Sequence, residues 1–97
     1  MELKQYFQEH KQEMVDFMRE LISVRSVQNE PSEGFPFGKK PAKALNIMLD
    51  RCRNEGFAVE NVENYVGTAV FNNAELKLGI LCHLDVVPEG DGWTGDP

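Results

Sequence analysis

The sequence holds only two cysteines, Cys52 and Cys82, and they form no C-x-x-C pair. Two are too few for a disulfide-stapled scaffold. Both sit among apolar neighbours, where a thiol behaves as a small hydrophobe. No apolar run approaches the roughly 18–20 residues that span a bilayer. The opening Met1-Glu2-Leu3-Lys4-Gln5 lacks the basic-then-apolar order of a secretory signal, so a reducing, cytoplasmic setting is expected. Positive charge is scarce as well: 10 Lys and Arg stand against 16 Asp and Glu, a net charge of −6. That balance argues against a nucleic-acid or anionic-membrane surface, which needs a basic patch. The small basic groups, Lys39-Lys40 with Lys43 and Arg51 with Arg53, read as solvated helix ends. Internal repeats and low-complexity tracts are absent.

What remains is an ordinary globular composition, 41% hydrophobic and 27% charged over 97 residues. A chain of this size makes one small domain that buries about two-thirds of its unfolded surface. Residues 3–22 place Leu3, Phe7, Met14, Phe17, Met18, Leu21 and Ile22 at three- and four-residue spacing, which predicts an amphipathic helix. His10 lies near that stripe but has no second ligand at i+4, so it reads as a helix-surface histidine. Residues 24–38 carry two Pro and two Gly and read as a loop, with Phe35 and Phe37 either as anchors to the core, the favoured reading, or as part of a binding rim. A second helix is expected over 39–55. Pro41 is tolerable in its first turn, Ala44, Leu45, Met48, Leu49 and Cys52 line one face, Arg51 and Arg53 suit the C-terminal dipole, and Gly56 stops it.

Beyond Gly56 the period shifts to two. Strands are expected at 57–63, 65–71 and 76–82, the last two joined as a hairpin through Asn72, Asn73, Ala74 and Glu75. The third is apolar on both faces after Lys77, as a central strand under helices would be, and Gly79 would admit a closely packed helix. The fold class is α/β with a mixed sheet.

"ILCHLDVVPEGDGW", residues 80–93, holds the candidate chemistry. Residues two apart on a strand share a face, so His83 and Asp85 point the same way at a strand's carboxyl end, where open α/β sheets tend to bind ligands. Neutral imidazole is a common zinc ligand, and its second nitrogen needs an orienting partner that a carboxylate can supply. Spacing alone leaves two alternatives: a polar strand end without chemistry, or a calcium loop built on Glu89, Asp91 and Asp96. The calcium loop lacks EF-hand spacing. A Cys82–His83 pair is disfavoured, because adjacent strand residues diverge.

The longer string "GILCHLDVVPEGDGWTGDP" resembles the first metal-binding motif of the M20 family of zinc metallopeptidases: an apolar strand, His-x-Asp-Val-Val-Pro, an acidic Gly-rich turn, then Trp before Asp-Pro. "LISVRSV" resembles the segment that closes the family's first helix, with Arg25 where Pro is common. "PFGKKPAKALNIMLDRCRNEGFAVENVENYVGTAVF" is similar to the PepV-like dipeptidase branch. The resemblance implies a metal ligand at His83, a catalytic aspartate at Asp85, and two zinc ions in the parent enzyme. It implies that residues 1–97 are the N-terminal portion, two helices then three strands, of an α/β/α zinc-peptidase catalytic domain. The remaining ligands, the general base and a lid or dimerisation domain would then lie beyond Pro97. The expected substrate is a small peptide or an N-acyl amino acid, and the parent is a monomer or a homodimer. The chain alone is expected to be inactive, to bind zinc poorly and to leave sheet edges unpaired. Deacylation of N-acyl amino acids and a non-catalytic binding module are the alternative functions.

Overall fold

The structure, a computed structural model, describes residues 2–72 and 74–97. Helix α1 spans Leu3–Ile22 and α2 spans Lys39–Asn54. The apolar spacing of α1 is answered by side-chain pairs on its polar face, Gln5 to Glu9 and Gln12 to Asp16, one turn apart. It ends where Ser23 turns its hydroxyl back onto the Glu20 carbonyl and its N–H onto that of Arg19. No residue of α1 is buried. Its link to α2 is polar: Arg51 of α2 donates to Glu13 and lies over the Phe17 ring, 5.1 Å from its centroid. No helix among the described residues is long and apolar enough to cross a membrane.

The end of α2 is a Schellman closure. Gly56 takes φ 96°, its N–H reaches the Arg53 carbonyl, and the Phe57 N–H reaches that of Cys52, both at 3.0 Å. The chain then enters an antiparallel hairpin, β1 (Ala58–Val62) and β2 (Val66–Val70), with Glu60 opposite Thr68. The turn needs two left-handed residues, Glu63 and Asn64 at φ 52° and 61°. Asn64 meets that demand by exchanging two 2.8 Å hydrogen bonds with Asn61. Its side-chain amide also donates to the Gly34 carbonyl, tying the turn to the loop before α2. Within that loop, Phe37 packs edge-on to Tyr65 at 5.6 Å and also lines the cleft between α2 and β2, so it serves as anchor and rim at once.

The observed hairpin joins the first and second expected strands, not the second and third. Residues 76–82 carry no strand pairing and lie exposed, Leu81 to 97%. A strand persists only where a neighbour takes its N–H and C=O groups, and no described residue supplies that ladder. The sheet is therefore two-stranded and antiparallel. Asn73, in the expected connection, lies outside the described residues.

The core is small: Val24, Ala42, Ala44 and Leu49 are its buried apolar members. The hairpin rests on α2 at Gly67, not at Gly79 as the sequence suggests. A Cβ on Gly67 would come within 2.8 Å of both Leu45 Cδ1 and Leu49 Cδ2, while one on Gly79 meets nothing within 4 Å. Overpacking costs about 1–3 kcal/mol, more than the ~0.4–1 kcal/mol that alanine gains by restricting the unfolded chain. Gly67→Ala is thus expected to lower the urea midpoint, and Gly79→Ala to leave it in place or raise it slightly. Equal midpoints for the two variants would show that the helix–hairpin contact does not limit stability.

Candidate functional site

Residues 83–93 form the site. They are attached to the rest of the chain by two residues just beyond α1. Ser26 is 1% exposed. Its hydroxyl donates to the Leu84 carbonyl at 2.9 Å, and its own carbonyl accepts the Val86 N–H at 3.1 Å. Arg25 Nε donates to Glu89 Oε2 at 3.0 Å. The acidic turn then closes on itself: the Trp93 indole N–H donates to the Glu89 carbonyl at 2.7 Å, with Gly90 and Gly92 at φ 67° and 89°. A hydrogen bond from its own backbone N–H, followed by the one from Arg25, holds the Glu89 carboxyl below the usual carboxylate range.

His83 and Asp85 come together within this frame. His83 Nδ1 lies 3.0 Å from the Asp85 carbonyl oxygen and 3.1 Å from Asp85 Oδ1. Both partners are acceptors, so in the neutral ring Nδ1 carries the proton and Nε2 keeps its lone pair. The imidazole is 82% and the carboxylate 59% exposed, which leaves Nε2 open to an incoming ion. That is the state required of a zinc-ligating histidine, and the second nitrogen is fixed as such ligands require. No group of three or more His, Cys, Asp or Glu that could hold a metal gathers among the described residues. The pair fits one corner of a metal site, and the same observation gives the calcium reading of Glu89, Asp91 and Asp96 no support.

A cleft of about 470 Å³ opens beside the pair, bounded by α2, by β2 and by residues 80–85. Cys52 and Cys82 both line it, and both are free thiols. Cys82 is exposed, so it does not pack as the small hydrophobe that its apolar neighbours suggest. His10 is remote from this chemistry in its contacts: its ring stacks on Tyr6 at 4.2 Å, and Nδ1 lies 3.2 Å from Glu13. Sequence reasoning passes over Ser26 and marks Arg25 only as a residue standing where Pro is common, since their partners lie 58 and 64 residues away.

No protein-family model matches the chain. It is 35% identical over 96 residues to a protein of Staphylococcus haemolyticus that bears a provisional dipeptidase name; the match takes in 97% of this chain and 20% of that protein. It is 40% identical over 82 residues to the Beta-Ala-Xaa dipeptidase of Lactobacillus delbrueckii subsp. lactis, covering 82% of this chain and 17% of the relative. A provisionally named dipeptidase of Staphylococcus aureus is 34% identical over 96 residues, with 97% and 20% coverage. The chain spans about a fifth of the length of the curated relatives it matches.

The single tryptophan reports on the turn. Because the Glu89 pKa is lowered by folding, its contacts are fully present above the ordinary glutamate range and are lost as pH falls through the lowered value. Trp93 fluorescence should therefore show an acid transition below that range. Arg25→Ala should move it upward without abolishing the shift, because the backbone hydrogen bond remains. An unmoved transition would mean that Arg25 does not hold the turn.

Proposed function

We propose that the chain contributes His83 as a metal ligand, and Asp85 as the carboxylate that orients it, to a zinc-dependent dipeptidase of the M20 type. One observation carries the reading. His83 Nδ1 is held by two acceptor oxygens of Asp85, so Nε2 is left exposed and available. The similarity to dipeptidases along nearly the whole chain supports it. The name of the Lactobacillus relative favours a dipeptide over an N-acyl amino acid as substrate. The two free cysteines accord with a cytoplasmic setting.

When bound, zinc supplies Lewis acidity toward water and the scissile carbonyl. The chain's own part is narrower. His83 presents one nitrogen, Asp85 fixes the ring and its tautomer, and the cleft beside them offers room for a small peptide. One histidine falls short of the roughly three protein ligands of a catalytic zinc. Peptide hydrolysis is accordingly a property of a protein of the relatives' length, with a second zinc and the general base held by residues other than these.

The test uses the full-length product of the gene. Replacing an orienting partner of a metal ligand typically costs about 10–100-fold. Asp85→Asn is therefore expected to lower dipeptide turnover by about that factor, and His83→Ala to lower it further and to reduce zinc content measured by mass spectrometry. A His83→Ala protein with full zinc and full turnover would overturn the assignment. Preferential turnover of N-acyl amino acids would redirect it to a deacylase.

A further inference from the structure

We infer that Ser26 is a positioning residue for the His83–Asp85 pair: it brackets Asp85 by holding the carbonyl before it and the amide after it. The inference rests on the metal-ligand reading of that pair. The bracket itself is a matter of geometry. Leu84 and Val86 flank Asp85, and Ser26 binds one backbone group of each, through its hydroxyl at 2.9 Å and its carbonyl at 3.1 Å. Its own N–H is taken by the Val24 carbonyl at 2.8 Å. Every polar group of a side chain and backbone that are 1% exposed is thus satisfied.

The pair has no comparable support elsewhere. Both of its members are exposed, and among the described residues 76–82 carry no strand pairing that would hold the segment before them. Asp85 directs two oxygens at one nitrogen, its carbonyl and its Oδ1. That convergence depends on the backbone torsions of residue 85, and those torsions are what a bond on either side restrains. A misplacement of about 1 Å at a reacting centre can cost on the order of 100-fold in rate, so a backbone bracket of this kind acts on turnover more than on binding.

Ser26→Ala removes the hydroxyl half and leaves the Val86 half. Ser26→Cys fills the site with a weaker donor and serves if alanine unfolds the chain. Two measurements apply. In this chain, hydrogen exchange of the Val86 amide is compared with that of amides in the β1–β2 hairpin. In the full-length product, kcat and KM are measured on the same dipeptide, beside His83→Ala. In Ser26→Ala we expect Val86 exchange about tenfold faster, the size of one lost hydrogen bond, with hairpin exchange unchanged. We expect kcat to fall about tenfold or more with KM within about twofold, and Ser26→Cys to fall between. Unchanged Val86 exchange overturns the bracket. Faster exchange with wild-type kcat, or a change confined to KM, overturns the positioning role. Full turnover by His83→Ala sinks the reading on which the inference rests, an outcome distinct from loss in His83→Ala with none in Ser26→Ala.

Discussion

Among the described residues, the polar attachment of residues 75–97 to the rest of the chain runs through two neighbours, Arg25 and Ser26. One is a buried hydroxyl and carbonyl, the other an exposed ion pair, and their weights differ. An exposed pair contributes little because water and salt screen it. A buried hydroxyl whose partner would otherwise lose its hydrogen bond is worth about 1–3 kcal/mol to keep. Ser26 therefore sets where the segment sits, and Arg25 trims the turn that follows. The order in sequence makes this possible: α1 ends at Ile22, Ser23 closes it, and the next turn of chain is free to receive a distant segment.

Local signals account for what was legible. The three- and four-residue spacing of α1 returned its observed bounds, and α2 differs from expectation by a single terminal residue. Gly56 stops α2 through a left-handed backbone, which its lack of a Cβ favours. The first two strands were found because their period of two is local as well. Their pairing was misjudged because Asn72 carries a turn signal of its own, with a φ of 61° and its Oδ1 accepting the Ala74 N–H, yet the residues after it pair with nothing described; the hairpin turn falls at Glu63 and Asn64. The close approach was assigned to Gly79 on the apolar character of its surroundings. It occurs at Gly67, where Leu45 and Leu49 lie on the facing helix, a relation between elements that no window of sequence displays.

The pairing of His83 with Asp85 was legible, though not for the reason of alternation. Residues 76–82 are not a strand here, so a shared strand face does not unite the two. What does is short range: two positions separate the ring from an oxygen of the Asp85 main chain and another of its side chain. Ser26 was illegible because a serine between an arginine and a valine advertises nothing, and its meaning comes from a contact 58 residues distant. The departure at Arg25 was visible as an unusual residue, but only the structure pairs it with Glu89.

The exposure of the pair bears on its chemistry in two opposing ways. An open Nε2 is what an approaching ion needs, and solvent around it keeps the desolvation cost of a charged ligand low. The same water weakens the hydrogen bonds from Nδ1 to Asp85, since each competes with bonds to solvent and is worth only about 1 kcal/mol net. Such a pair cannot orient itself by its own attraction. It can be oriented by a backbone already fixed, because a torsional restraint is not screened by water. The burial of Ser26 and the exposure of His83 are thus complementary: the hydrogen bonds that fix the backbone lie where solvent cannot loosen them, and the imidazole lies where solvent reaches it.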